Sequence, residues 1–449
     1  MKKVFGIAAM LLALSACNKV ETEIQPVPGE EGITITATLA PKGANTKAVA
    51  DGGDKITVTW AVNEHIAILY EVSSTKYVAD ATITAVDGTT GSATITFTVE
   101  AGTANDTPCT LVYPLSAAKD DHTGVKDAAT LLAAQDGTLN ANLDVRVGEG
   151  TIQTTTPGLT VSTQPEAQFA IFKFTVKNSD ASATIDVKPL TVTIGAQDYV
   201  ITPASATSEL FVALPAIASQ AVTFTATGSD GKIYTASKPS VSFDAGKYYQ
   251  SPLKMTAAGL ADVISRYLRT FIGADGFIYA TTAAATAAGT TAVAKIVYVG
   301  SDNGESAPYN HGLALALSDA NGGSYLEWST SSTKVHTYNP TSSSFESESG
   351  LQYNATHNSD TYPAFKAAIT YSPAAPTGCS AWFLASGYQW QKMAGAVGGY
   401  INLGLKLYRV YWSSTEYSAN KAWYFDYPDG NWYNDSKGYG NLVRACLAF

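Results

Sequence analysis

AVTFTATGSDGKIYTAS, residues 221–237, holds two runs of β-forming residues on either side of Ser229-Asp230-Gly231-Lys232. That arrangement reads as a β-hairpin, with the Gly-bearing tetrapeptide as its turn. The same period of two recurs across the first half of the chain. DKITVTWAV (54–62) sets Ile56, Val58, Trp60 and Val62 against Lys55, Thr57, Thr59 and Ala61. SATITFTVE (92–100) places Ala93, Ile95, Phe97 and Val99 on one face, and FKFTVKN (172–178) does so with Phe172, Phe174 and Val176. Strict alternation over many short runs means strands with one buried face, and hence β-sandwiches. The region from 33 to 256 is long for one sandwich, and STQPEAQF (162–169) breaks the pattern. Two sandwiches, 33–165 and 166–256, are therefore expected.

The chain has 449 residues, enough for about three domains. Charged residues are only 15%, so Thr, Ser, Asn and Gly must cover the outer faces. The net charge of −10, with no Lys/Arg cluster, argues against nucleic acid as a partner. The N-terminus begins MKK and continues with a short apolar run, VFGIAAMLLALSA, which predicts a secretory signal over 1–16. It ends in LSAC (14–17), which resembles a bacterial lipobox. The resemblance implies that Cys17 carries the lipid, that residues 17–32 form a tether, and that the protein is held at the outer membrane or in a pilus. Three further cysteines remain. Cys109 reads as a buried strand thiol; Cys379 and Cys446 are either a disulfide or two buried thiols. Neither CxxC nor HExxH occurs, and no zinc site is expected.

After Met255 the composition changes. GLADVISRYLRTFIGADG (259–276) spaces Leu260, Val263, Ile264, Tyr267, Leu268 and Phe271 as a helix would, and predicts a connecting helix over 257–274. Six of the seven tryptophans, at 328, 382, 390, 412, 423 and 432, fall in the remaining stretch, 275–449. Two helices are predicted there. One has Pro363 in its first turn; the other has Ser386 as N-cap and Gly398-Gly399 as its stop. Short strands between them make an α+β domain.

Two resemblances follow from particular residues. The lipobox, the TK of ANTKAVADGGDKITVTW (44–60), AIFKFTVKN (170–178) and FDAGKYYQSPLKM (243–255) resemble the fimbrillin family, pilins of the type V pilus. That resemblance implies partner pilin subunits joined by strand exchange, with processing near Lys47. WFLASGYQWQKM (382–393), YWSSTE (411–416), AWYF (422–425), GNW (430–432) and LVRACLAF (442–449) resemble bacterial C-type-lectin-like domains. The implied fold flanks a small sheet with two helices and displays a ligand surface on a loop-rich region. In such a domain Cys379 and Cys446 stand where a bridge could form.

The closing segment, 411–449, is rich in Tyr, Asn, Asp, Ser and Trp. Trp412, Trp423, Phe425 and Trp432 read as core pegs, and Leu442, Val443, Ala445, Leu447 and Phe449 as anchors of a final strand. Between them lie Tyr417, Asn420, Tyr424, Asp426, Tyr427, Asp429, Asn431, Tyr433, Asn434, Asp435 and Tyr439, with the composition of antibody binding loops. These residues are the expected surface for a protein or glycan ligand. The Tyr/Asn/Asp/Ser scatter also resembles segments diversified by adenine-directed reverse transcription. Neither Glu-Pro-Asn nor Gln-Pro-Asp occurs, so no metal or other cofactor is expected. The five histidines form no spaced pair, and GxSxG and phosphate loops are missing, so the chain is not expected to be an enzyme. The sequence reads as mainly β: two pilin-like sandwiches, then a lectin-like adhesin at a pilus tip. The alternatives are a stand-alone glycan-binding lipoprotein and a glycan-processing enzyme.

Overall fold

The computed structural model describes residues 32–42, 50–51, 56–140, 143–335 and 345–449. Cys17, Lys47 and His336 lie outside them. The protein is mainly β, 46% strand and 13% helix.

The first sheet comprises β1 (Ile33–Leu39), β4 (His65–Val72), β5 (Thr75–Val86), β6 (Ala93–Val99), β7 (Thr107–Tyr113), β8 (Arg146–Gln153) and β9 (Gly158–Ala167); β2 (Ala50–Asp51) and β3 (Ile56–Thr57) form a separate short pair. The strand order is β1-β6-β5-β4-β7-β8-β9. Ile35, Ala37 and Leu39 of β1 point inward beside Ile95, Phe97 and Val99 of β6, and the intervening threonines point out. The sheet curls until its edge strands meet: the Ala40 N–H donates to Gln164 Oε1 at 3.3 Å. The buried Arg146 guanidinium ties both edges, donating to Lys42 O at 3.2 Å and Pro165 O at 3.3 Å. Lys42 is itself buried. Its ammonium lies 3.3 Å from Asp144, 3.5 Å from Glu64 and 3.7 Å from the Tyr113 ring centroid. The alternation in 54–62 ends sooner than its pattern predicts. Val58 and Trp60 are buried, but Val62 is 51% exposed, because the chain turns there and Asn63 takes a φ of 69°.

A short α1 (Ala128–Leu131) lies between β7 and β8, and β9 leads into the second sheet: β10 (Phe169–Asn178), β11 (Val187–Ile194), β12 (Gln197–Ile201), β13 (Glu209–Pro215), β14 (Ile217–Gly228), β15 (Ile233–Phe243) and β16 (Tyr248–Ala257). Its order is β12-β11-β14-β15-β16-β10-β13. β14 and β15 are the expected hairpin, with Gly231 at φ 80° in its turn. The two sheets share a continuous core. Ala67, Leu69 and Val112 pack into the cluster of Phe174, Val192, Leu210 and Phe224. The buried Gln135 amide serves as a strand fragment for β13, accepting from Ala213 N at 2.7 Å and donating to Ala213 O at 3.0 Å.

No connecting helix follows. Residues 260–267 form two 3-10 turns, Leu260–Asp262 and Ser265–Tyr267, and Phe271 opens a strand. The helical spacing is real as a list of apolar residues, but Val263 and Leu268 have extended ψ and Arg269 a φ of 73°. Val263 and Tyr267 are buried by packing across the junction, and Ile264 stays exposed. The joint itself is a pair of twin turns, GSDGKIY (228–234) and GADGFIY (273–279). In each, the Tyr hydroxyl donates to the Asp carboxylate, at 2.8 Å for Tyr234–Asp230 and 2.6 Å for Tyr279–Asp275. They stack through an antiparallel bridge, Lys232 with Tyr279, and Lys232 lies over the Phe277 ring.

The third region contains β17 (Phe271–Gly273), β18 (Ile278–Tyr279), α2 (Thr282–Ala287), β19 (Ala292–Val299), β20 (Gly312–Ala316) and β21 (Leu326–Glu327). Then come α3 (Gly350–Thr356), α4 (Pro363–Ile369), β22 (Phe383–Leu384) and α5 (Gly387–Ala396). It closes with β23 (Arg409–Ser418), β24 (Lys421–Tyr427), β25 (Trp432–Ser436), β26 (Gly440–Asn441) and β27 (Ala445–Ala448). α4 has Pro363 at its start and α5 has Ser386 as N-cap, as predicted, and Gln389 completes a capping box with Ser386. β27 sits inside a six-stranded sheet, order β18-β17-β19-β20-β27-β22. Ala445, Leu447 and Phe449 fill one face; Cys446 and Ala448 fill the other. That alternation separates the two cysteines considered for a disulfide. Cys379 packs on the first face and Cys446 on the second, and both are free thiols.

Candidate ligand-binding surface

β23, β24 and β25 form a three-stranded antiparallel sheet over the closing segment. Its register decides which side chains share a face: Tyr411 pairs with Phe425 and Trp432, and Trp412 with Tyr424 and Tyr433. One face carries Tyr411, Trp423, Phe425, Tyr427 and Trp432 into the core. Phe425 is fully buried, stacked 5.8 Å from Tyr411 and tilted 56° against Trp390 at 4.8 Å. The other face starts at buried Trp412, whose indole N–H donates to Leu326 O at 2.8 Å, and runs outward through Tyr424 to Tyr433. Tyr433 is 46% exposed. Asp426 and Asp435 share this face, and Asn431 pairs with Asp426 through its backbone carbonyl. Partial burial raises the Tyr424 phenol's pKa, with the Asp435 and Asp426 charges adding to the effect.

Two buried charge clusters hold this frame. Glu416 and Lys437, both nearly inaccessible, form an ion pair. Glu416 also accepts from Val335 N at 3.0 Å, and Lys437 donates to Thr333 O at 3.1 Å. Asp319 takes Arg444 at 2.7 Å and Lys406 at 3.1 Å, and accepts from the Tyr411 hydroxyl at 3.2 Å. Burial pushes the Tyr411 phenol up to about 12.

The structure divides the eleven predicted contact residues. Tyr424, Asp426, Asn431, Tyr433 and Asp435 come together on the open face. Tyr439 is 61% exposed on the turn that follows β25. Asn420 and Asp429 are exposed at the two hairpin turns. Tyr417 and Asn434 fall on the other side: Tyr417 packs edge-on against Trp423 at 5.2 Å, and Asn434 accepts from Lys421 at 3.2 Å. Tyr427 is a correction. It is 4% exposed and its hydroxyl donates to Ile401 O, because odd-numbered positions of β24 face the core. The expected pegs Trp412, Trp423 and Phe425 are buried, and Trp432 is half-buried.

Sequence reasoning missed Tyr325, Leu407 and Tyr408. Tyr408 is 79% exposed and held at a φ of 57°, and Tyr325 rests on Gly440 beside Tyr439. No period marks these residues; only folding places them on the surface. Of ten large apolar side chains exposed among the described residues, seven lie between Leu317 and Tyr439, which concentrates sticky surface in this region. Among the described residues no group of three or more His, Cys, Asp and Glu converges on a metal position. The His311 Nε2–H donates to Val263 O at 2.7 Å, and the His357 Nδ1–H donates to Tyr353 O at 2.8 Å.

No protein-family model matches the chain, and no curated protein matches it. Among solved structures, a fimbrial protein from Bacteroides ovatus aligns over 93% of this chain and 99% of its own, at 12% identity and a TM-score of 0.28. A fimbrial assembly protein from Parabacteroides distasonis aligns over 50% of this chain and 92% of its own, at 13% identity and a TM-score of 0.31. At these identities and scores the likeness carries no functional conclusion.

Proposed function

We propose that this chain is a cell-surface lipoprotein, anchored through Cys17, whose residues 275–449 bind a protein or glycan ligand at the tip of a pilus. On this reading it acts by binding and performs no chemistry. The observation that carries the proposal is the open face of β24 and β25. Tyr424 and Tyr433 stand side by side there with Asp426 and Asp435, on a frame of buried tryptophans and ion pairs. Tyrosine offers a large contact area with few rotors to freeze, and carboxylates and amides add adaptable hydrogen bonds. A surface braced from below loses little entropy when it binds. β27 supports the tip position: it is paired on both edges, so it is not free to enter another subunit. The curled first sheet supports a receiving role, because among the described residues β1 is a seam strand paired along one edge.

Immunogold labelling of residues 275–449 on cells that produce the protein tests the assignment. Gold at fibre ends is expected. Gold along shafts overturns the tip position, and gold confined to the membrane gives the stand-alone lipoprotein instead.

A further inference from the structure

We propose that Lys42 and Asp144 are the two partners of an isopeptide bond, which the folded first sheet forms by itself with Glu64 as the proton carrier. The proposal does not rest on the pilus reading. Lys42 follows β1 and Asp144 precedes β8, so the bond ties the end of an edge strand to the far side of the curled sheet.

Amide formation needs an amine kept from water, a carboxyl within reach, and control of the charges that move. The Lys42 side chain is 0% exposed, and the ring centroids of Trp60 and Tyr113 lie 4.2 and 3.7 Å from its nitrogen. Burial holds its pKa below the usual lysine value; the Arg146 charge adds to that, while the charges of Asp144 and Glu64 oppose it. A desolvated lysine can lose its proton and attack as a nucleophile. Asp144 Oδ2 lies 3.3 Å from Nζ, yet the two atoms are not aligned for a hydrogen bond with each other. A buried ion pair offsets its desolvation only when its geometry is good. This contact has the closeness that attack requires instead.

The remaining groups manage charge and protons. Arg146 Nε donates to Asp144 Oδ1 at 2.8 Å, the oxygen on which negative charge gathers as the carbon becomes tetrahedral. Glu64 Oε2 lies 3.5 Å from Nζ, and Glu64 Oε1 accepts from the Tyr113 hydroxyl at 2.6 Å, which fixes the carboxylate beside the amine. In the reaction the ammonium first gives one proton to the Asp144 carboxylate. The neutral nitrogen attacks Cγ, and the C–N bond forms as the bond from Cγ to Oδ2 breaks. Glu64 takes a second proton from the nitrogen and returns it to the departing oxygen, which leaves as water. One amide N–H remains, and no oxidant or cofactor is consumed. The Glu64 side chain is 23% exposed, which gives the water a way out.

Tryptic digestion of the denatured full chain, followed by mass spectrometry, is the test. Peptide 127–146, which contains Asp144, should appear joined to the peptide that contains Lys42, lighter than their sum by one water. Lys42→Arg keeps a cation in place but supplies no amine, and should release 127–146 as a free peptide. Glu64→Gln keeps both partners and should lower the joined fraction by about tenfold or more. Free 127–146 as the main form in the wild type overturns the proposal, whether or not the variants fold. A joined fraction unchanged by Glu64→Gln also overturns it, because the reaction then proceeds without the carrier assigned to it.

Discussion

Replacing Lys437 with Met probes the frame beneath the open face. The ammonium is 2% exposed; it pairs with Glu416, donates to Thr333 O and lies 4.8 Å from the Trp328 ring centroid. Methionine fills the same volume but removes the ammonium that pairs with the Glu416 carboxylate, itself 1% exposed. Orphaning one partner of a buried pair costs about 3–5 kcal/mol. For a region of this size that lowers its melting temperature by about 6–20 °C. The Glu416→Gln, Lys437→Met double variant carries no buried charge and should recover more than half of the loss. Calorimetry and urea unfolding of the wild type, both single variants and the double variant measure all of this. A single-variant loss below about 1 kcal/mol, or a double variant no better than the single, refutes the claim that this pair holds the frame.

The open face itself should be separable from stability. Tyr433→Ala and Tyr439→Ala remove exposed rings, so urea midpoints should stay within about 0.5 kcal/mol of wild type, while attachment of the protein to its target cells falls at least about tenfold. Glu348 is 7% exposed, and burial raises its carboxyl above the usual range. Its folded form therefore keeps a proton that the unfolded chain releases near 4.5, so stability falls as pH rises from about 4.5 to the folded pKa. Glu348→Gln should flatten that slope in pH-dependent unfolding; an unchanged slope would assign it to another group. Burial pushes the Cys109 and Cys379 thiols up to about 12 and that of Cys446 well above its usual value. All three should alkylate slowly in the folded protein and fully in urea without reductant; a peptide linking Cys379 to Cys446 would contradict the two-face placement.

Alternation was a sound guide because a strand's side chains point up and down regardless of what it packs on. Ala93, Ile95 and Phe97 could be assigned to a core before any partner strand was known. Capping was equally local: Ser386 and Pro363 start their helices through bonds and angles within one turn. Residues 259–276 misled because apolar spacing records which residues are buried, not the backbone path that buries them. Val263 and Tyr267 are covered from across the junction, with no helix between them. α2 and α3 went unpredicted, being a single Ala/Thr turn and a short polar stretch with no apolar stripe.

The chain's own order of residues determined that this is a mainly β protein and that its carboxyl end pairs large aromatics with polar, tyrosine-rich stretches. Both follow from interactions between near neighbours. Only the tertiary structure decided which of those residues meet a partner. The register of β24 against β23 and β25 turns Tyr424 and Tyr433 outward and Tyr427 inward. The alternation of β27 sends Cys446 away from Cys379. A shift of one residue in either pairing would exchange the two faces. That register is set by packing between strands far apart along the chain, and no single segment contains it.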